Sequence, residues 1–136
     1  MGLKERRAIK EFQDTIFPGL KKKVDESAGF EVMMEIDWDS IAEADMTHMY
    51  NENLPQVYFE PVIQGFQKIC CDDMGKEALR GGLKKIIIRN KSGSYSPEDA
   101  ISFDGGALTI DHLPNSNVGY VKERADVIVN VISKKV

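Results

Sequence analysis

Asp45, His48 and Glu52 stand three and four residues apart, a spacing that stacks side chains on one face of an α-helix. A carboxylate–imidazole–carboxylate set of that kind suits Mn, Fe or Zn, with Asp39 as a fourth ligand. The spacing matches neither the metalloprotease nor the EF-hand pattern. The competing reading is a solvated helix face on which Asp45 is a first-turn acid.

Nucleophile chemistry has less to work with. The only cysteines, Cys70 and Cys71, are neighbours and cannot staple distant segments. Cys71 falls on the polar face of its expected helix, and the adjacent Asp72 and Asp73 disfavour its thiolate. His112, the only other histidine, is distant in sequence and reads as a strand-end residue with an ordinary hydrogen bond. No GxxxxGK[ST], GxGxxG or GxSxG motif is present, so neither a phosphate loop nor a nucleophile elbow is indicated. No cofactor is implied.

The elements that would position these residues follow from periodicity. Ile9, Phe12, Ile16, Leu20, Val24 and Ala28 form one helical stripe that keeps its phase across Pro18. A kinked helix or two nearly collinear ones would satisfy it. Gly29 then serves as a left-handed stop, with Phe30 folding back. Phe30 to Ile36 alternates as a strand, and residues 39 to 52 read as a helix. Residues 55 to 71 give a broad apolar face of Phe59, Val62, Ile63, Phe66, Ile69 and Cys70, a central packing helix. Asp72 and Asp73 cap a short helix over 74–80 that Gly81-Gly82 stops. Ile86-Ile87-Ile88 reads as an interior strand, 90–99 as a loop, and Asp104-Gly105-Gly106 as the turn of a hairpin between 100–103 and 107–110. A last helix buries Val118, Val121, Ala125, Ile128 and Ile132.

The expected order is α-β-α-α-β-β-β-α: an α+β fold with helices on one face of a mostly antiparallel sheet of about four strands. With 136 residues, 42% hydrophobic and 29% charged, the chain reads as a single domain over 1–136. No apolar run approaches a membrane span, and Met1 to Lys10 lacks the apolar stretch of a secretory signal, so a cytoplasmic location is expected and no membrane partner.

Charge is the least ordinary feature. Residues 1–23 carry seven Lys/Arg against three Asp/Glu. Residues 24–67 then carry ten Asp/Glu and no Lys or Arg, and residues 68–136 return to near balance. One reading folds the basic first helix onto the acidic segment. The other makes Glu31, Glu35, Asp37, Asp39, Glu43 and Asp45 one acidic surface for a basic protein partner. The second reading loses its basis if those carboxylates are scattered or are covered by the protein's own lysines. An isoelectric point near 5.2, without basic-aromatic interleaving, argues against nucleic acid. The expectation is a non-catalytic interaction module, with a small metal- or ligand-binding enzyme built on Asp45, His48 and Glu52 as the alternative. The sequence leaves the oligomeric state open.

Overall fold

In the computed structural model, which describes residues 2–136, the first apolar stripe resolves into two consecutive helices. They are α1 (Leu3–Thr15) and α2 (Phe17–Ala28). Pro18 has no N–H to offer the Asp14 carbonyl, so the ladder breaks around Ile16. Ile16 itself stays helical and donates to Phe12 O at 3.0 Å, and the stripe keeps its phase. Gly29, at φ +85°, closes α2 with its N–H on Asp25 O.

Strand β1 (Met33–Ile36) leads into α3 (Trp38–Ile41), which starts where Asp37 Oδ1 accepts from Ser40 N–H at 3.2 Å. The single helix expected over 39–52 is instead broken into pieces. Ala42 leaves helical geometry, Asp45 adopts φ +62°, and Tyr50 Oη pins the intervening turn by donating to Glu43 O at 2.8 Å. Helicity resumes with a 3₁₀ turn (Thr47–Met49) and α4 (Tyr50–Leu54).

From α4 the chain passes without a stop through a π turn (Pro55–Phe59) into α5 (Glu60–Ile69). Helix α6 (Asp73–Gly82) is capped by Asp72, as expected, but runs through Gly81 to Gly82, two residues past the expected end. Then come β2 (Lys85–Arg89), α7 (Pro97–Ala100), β3 (Ile101–Asp104), β4 (Ala107–Asp111) and α8 (Val121–Ser133). Gly105 and Gly106, both at positive φ, make the tight turn between β3 and β4.

The four strands are ordered β1-β2-β4-β3, and the sheet is mixed and mostly parallel, which corrects the antiparallel expectation. β1 runs parallel to β2, β2 parallel to β4, and only β3–β4 is antiparallel. Two connections explain this. The helices between β1 and β2 carry the chain back to the end where β1 began. After β2 the chain skips one strand position, descends as β3, and the hairpin returns β4 into the gap. Ile86 and Ile88 therefore lie in an interior strand, as their β-branching indicates.

The alternation of β2 and β4 puts Ile86, Ile88, Leu108 and Ile110 on the face that the helices cover. Lys85, Ile87, Arg89 and Thr109 line the other, open face. α5 is the central helix, packed between α2 and α8. Gly65 permits its close approach, since a Cβ there would stand 3.1 Å from Ile128 Cγ2. One contiguous cluster of buried side chains, from Ile9 to Ile132, unites sheet and helices.

The junction of α5 and α6 depends on Gly75, where a Cβ would fall 1.6 Å from the Ile69 carbonyl oxygen. Gly81, helical with nothing within 4 Å, has no such constraint. Gly75→Ala should lose about 2–3 kcal/mol through a forced backbone shift. Gly81→Ala should gain about 0.5–1 kcal/mol from reduced unfolded-state entropy. Urea unfolding of the two variants beside wild type checks both signs.

Candidate functional site

The acidic segment is held by the sheet's first strand. Glu31 precedes β1 and Asp37 follows it; at about 3.3 Å per residue they stand roughly 20 Å apart. Glu31, Glu35 and Asp37 therefore spread along the strand, while Asp39 lies beyond it in α3 and Glu43 and Asp45 in the turn that follows. Glu35 lies on the open face and meets Lys85 Nζ at 3.0 Å. Asp37 meets Lys91 Nζ at 3.3 Å, and half-buried Glu43 lies 3.5 Å from Asn90 Nδ2. Ser40 fastens this end, donating to Asp37 O and accepting from Asn90 N–H at 3.0 Å. Glu31, Asp39 and Asp45 are exposed, with no Lys or Arg partner among the described residues.

The basic N-terminal section neutralises the acidic segment directly at one position, Asp25, and at none of the six carboxylates from Glu31 to Asp45. Lys10 pairs with Asp14 in α1, and Lys21 with Asp25 in α2, each within its own helix. Of the ten carboxylates in residues 24–67, only Asp25, Glu35 and Asp37 are ion-paired among the described residues.

Asp45, His48 and Glu52 occupy three different local structures: the left-handed turn, the 3₁₀ turn and α4. The break between Ala42 and Thr47 removes the common helix that their spacing assumed. Among the described residues no group of three or more His, Cys, Asp or Glu side chains is arranged to hold a metal ion. Cys71 is exposed, whereas His112 is fully buried and hydrogen-bonded elsewhere, so no thiol–imidazole pair forms between them. Half-buried Cys70 has its thiol pushed up by burial.

A second polar assembly lies inside, at the carboxyl end of β4. Tyr58, His112 and Arg124 are all fully buried. Pro55 and Pro61 create the place for them. The Glu60 N–H donates to Pro55 O across the π turn, and Pro61 has no N–H, so the Gln56 carbonyl has no helical donor. Arg124 Nη2 fills it at 3.2 Å and also reaches Val118 O at 2.6 Å, while Nη1 donates to Asn117 O at 2.8 Å. Burial pulls the guanidinium pKa down to about 10, so the group remains charged at neutral pH without a carboxylate partner.

Tyr58 Oη donates to the His112 carbonyl, and burial raises its pKa far beyond the physiological range. His112 Nδ1 lies 2.5 Å from Leu113 O; a carbonyl only accepts, so Nδ1 carries the proton. His112 Nε2 and Arg124 Nε have no hydrogen-bond partner among the described residues. Burial, helped by the nearby Arg124 charge, outweighs the Leu113 hydrogen bond and holds the His112 pKa below its ordinary value.

Next to it, Asp111 is half-buried and organises the loop after β2. Its carboxylate accepts from the N–H groups of Lys91 and Ser92 at 2.8 and 3.0 Å and from Arg89 Nε at 2.9 Å. Burial works to raise its pKa, but these hydrogen bonds outweigh burial and hold it low.

Neither Arg124 nor Tyr58 stands out among the motifs of the sequence. A signal existed for the arginine: it stands four residues before Ile128 and three after Val121, on the same stripe. Tyr58 also continues a stripe, four residues after Leu54 and four before Val62, but periodicity does not reveal the His112 carbonyl that its hydroxyl reaches.

A concavity of about 950 Å³ lies among α2, α5 and α6 and includes Lys23, Glu26, Gln64, Cys70, Lys76 and Arg80. Bases and acids are mixed along it, and Arg80 is already engaged with Gly29 O and the ring of Phe30. No single ligand charge is selected there.

The buried imidazole sets a pH dependence. In the unfolded chain His112 binds protons below about pH 6.5, whereas in the fold it resists protonation until lower pH. Stability should therefore be fully present above pH 6.5 and fall as the pH drops through the window below, by at most about 1.4 kcal/mol per pH unit. His112→Asn, whose Nδ2 can replace Nδ1 on Leu113 O, should flatten that slope between pH 6.5 and 5. Urea midpoints across this range check it, and an unchanged slope would assign the acid sensitivity to other groups.

No family model matches this chain, and neither a curated protein nor a solved structure matches it.

Proposed function

We propose that the protein is a non-catalytic interaction module that presents acidic side chains around β1 to a basic protein partner. One observation carries the reading. Seven of the ten carboxylates between residues 24 and 67 have no Lys or Arg partner among the described residues, and the segment supplies none itself.

Such a surface raises the local concentration of a cationic partner and penalises anionic ones, acting on association rate and specificity more than on final affinity. The surface is narrower than composition suggests. Lys85 and Lys91 hold Glu35 and Asp37 from the β2 side, leaving Glu31, Asp39 and Asp45 as the unshared carboxylates. Exposed pairs of this kind contribute at most about 1 kcal/mol each. A useful affinity therefore needs backbone or apolar contacts beside the charges.

Affinity capture from a lysate of the source cells, with immobilised wild type and the Glu31→Gln/Asp39→Asn/Asp45→Asn variant, tests the proposal. Basic proteins should be retained by wild type at about 50 mM salt and released near 500 mM, as the screening length shrinks. The neutralised variant should lose them while keeping the wild-type melting temperature. A partner set indifferent to the three substitutions would overturn the reading.

A further inference from the structure

β1 is an outer strand, and one of its rims pairs with no strand among the described residues. The Asp37 N–H donates to Ile88 O at 2.9 Å, so the main chain of Asp37 turns toward β2. By strand alternation Met33 and Glu35 turn the same way, and Val32, Met34 and Ile36 turn their N–H and C=O groups outward. The first of these donors is closed: Asp25 Oδ1 accepts from Val32 N–H at 2.9 Å, while Lys21 holds that carboxylate at 2.7 Å. No helix, loop or side chain among the described residues supplies a partner to the Met34 or Ile36 main chain.

Natural edges of this kind are blunted by lysine, proline, a bulge or a covering element. The sequence Met33-Met34-Glu35-Ile36 contains neither lysine nor proline, and its register against β2 runs without interruption. What flanks it is acid.

The alternation of β1 also specifies what could pair with it. Glu31, Met33, Glu35 and Asp37 share one parity and belong to the open face, where Met33 is 63% exposed. Val32, Met34 and Ile36 share the other and pack on the core. A strand laid along this rim therefore meets carboxylates on one of its faces and half-buried aliphatic side chains on the other. Lys85 and Lys91 occupy Glu35 and Asp37 from the β2 side, but a carboxylate has lone pairs for donors from both sides. A second copy of this chain is a poor occupant, because β1 against β1 sets these acids against themselves.

We propose that an extended segment of the partner, alternating Lys or Arg with Val or Ile, adds to β1 as a fifth strand. This rests on the reading of the acidic segment as partner-facing, and gives that partner a conformation and a residue pattern.

The test uses the whole protein and a blocked heptapeptide alternating Lys and Val, followed by NMR. Two forms of the peptide, N-methylated at the valines or at the lysines, each lose the donors of one rim. Binding of the parent should slow amide exchange at Met34 and Ile36, and one of the N-methylated forms should bind at least tenfold more weakly. An alternating Glu/Val peptide should not bind.

Parent binding that leaves those amides unprotected and tolerates both N-methylations would overturn strand addition, while leaving the acidic-surface reading intact. Failure of the parent to bind would overturn strand addition too, and the capture experiment then decides the broader reading on its own. A dimer of the protein alone that protects the same two amides would overturn it by giving the rim to a second copy.

Discussion

A guanidinium sealed from water without a carboxylate has to be held by backbone carbonyls, and the structure around Arg124 is arranged to supply them. An unsatisfied buried charge costs several kcal/mol even after relaxation, so the three acceptors on Gln56, Asn117 and Val118 must come together in the fold. One sits in the widened turn of the central helix and two in the loop that follows β4. The same contact therefore sets where α8 lies against α5 and how the chain leaves the sheet. It also explains why the π turn persists. In a regular helix the Gln56 carbonyl would bond the Glu60 amide, and Arg124 would lack an acceptor. The widened turn passes that amide to Pro55, and Pro61 supplies no replacement.

Much of the scaffold around that contact was legible in the sequence because it follows from local periodicity and turn chemistry. The stripe from Ile9 to Ala28, the Gly29 stop, the broad face of α5 and the Gly105-Gly106 hairpin each rest on interactions within a few residues. Strand direction does not. β2, β3 and β4 follow one another as an antiparallel meander would, and only the position of β4 between β2 and β3 makes the sheet mostly parallel. That choice is made by the helices that return the chain before β2, and by burial of Leu108 and Ile110 beside Ile86 and Ile88, a contact no short window contains. The helix expected over 39–52 failed for a related reason. Its pattern allowed helix, but the Tyr50 hydroxyl and the Asp37 cap favour a local turn, and Asp45, His48 and Glu52 lost their common face with it.

The candidate surface was legible as a charge pattern but not as a shape. Composition shows that residues 24–67 have no base of their own; it cannot show which bases arrive from elsewhere. The nearby basic helix was the obvious source, yet the cross-strand partners of Glu35 and Asp37 come from β2 and the loop after it, fifty or more residues away. α1 and α2 instead satisfy Lys10 and Lys21 within themselves, because an i,i+4 partner forms with little loss of chain entropy. Extended β1 then spreads Glu31, Glu35 and Asp37 over a distance that a helix of equal length would halve.

That spreading has a consequence for how the edge behaves. An unpaired rim invites any strand, including that of another copy, and repulsion is a common defence. Repulsion by acids is selective. Glu31, Glu35 and Asp37 oppose their own duplicates and other acidic strands, but the same potential attracts a strand rich in Lys or Arg. Protection against self-pairing and recognition of a basic segment are thus one electrostatic property with the partner's sign reversed. Asp25 limits the length of the rim by closing Val32, leaving the main chain of Met34 and Ile36 as its open donors. So short a rim gives few backbone hydrogen bonds, and a partner that satisfies only those would bind weakly. Discrimination has to come from the alternating carboxylates and aliphatic side chains beside it, the features that β1 places on its two faces.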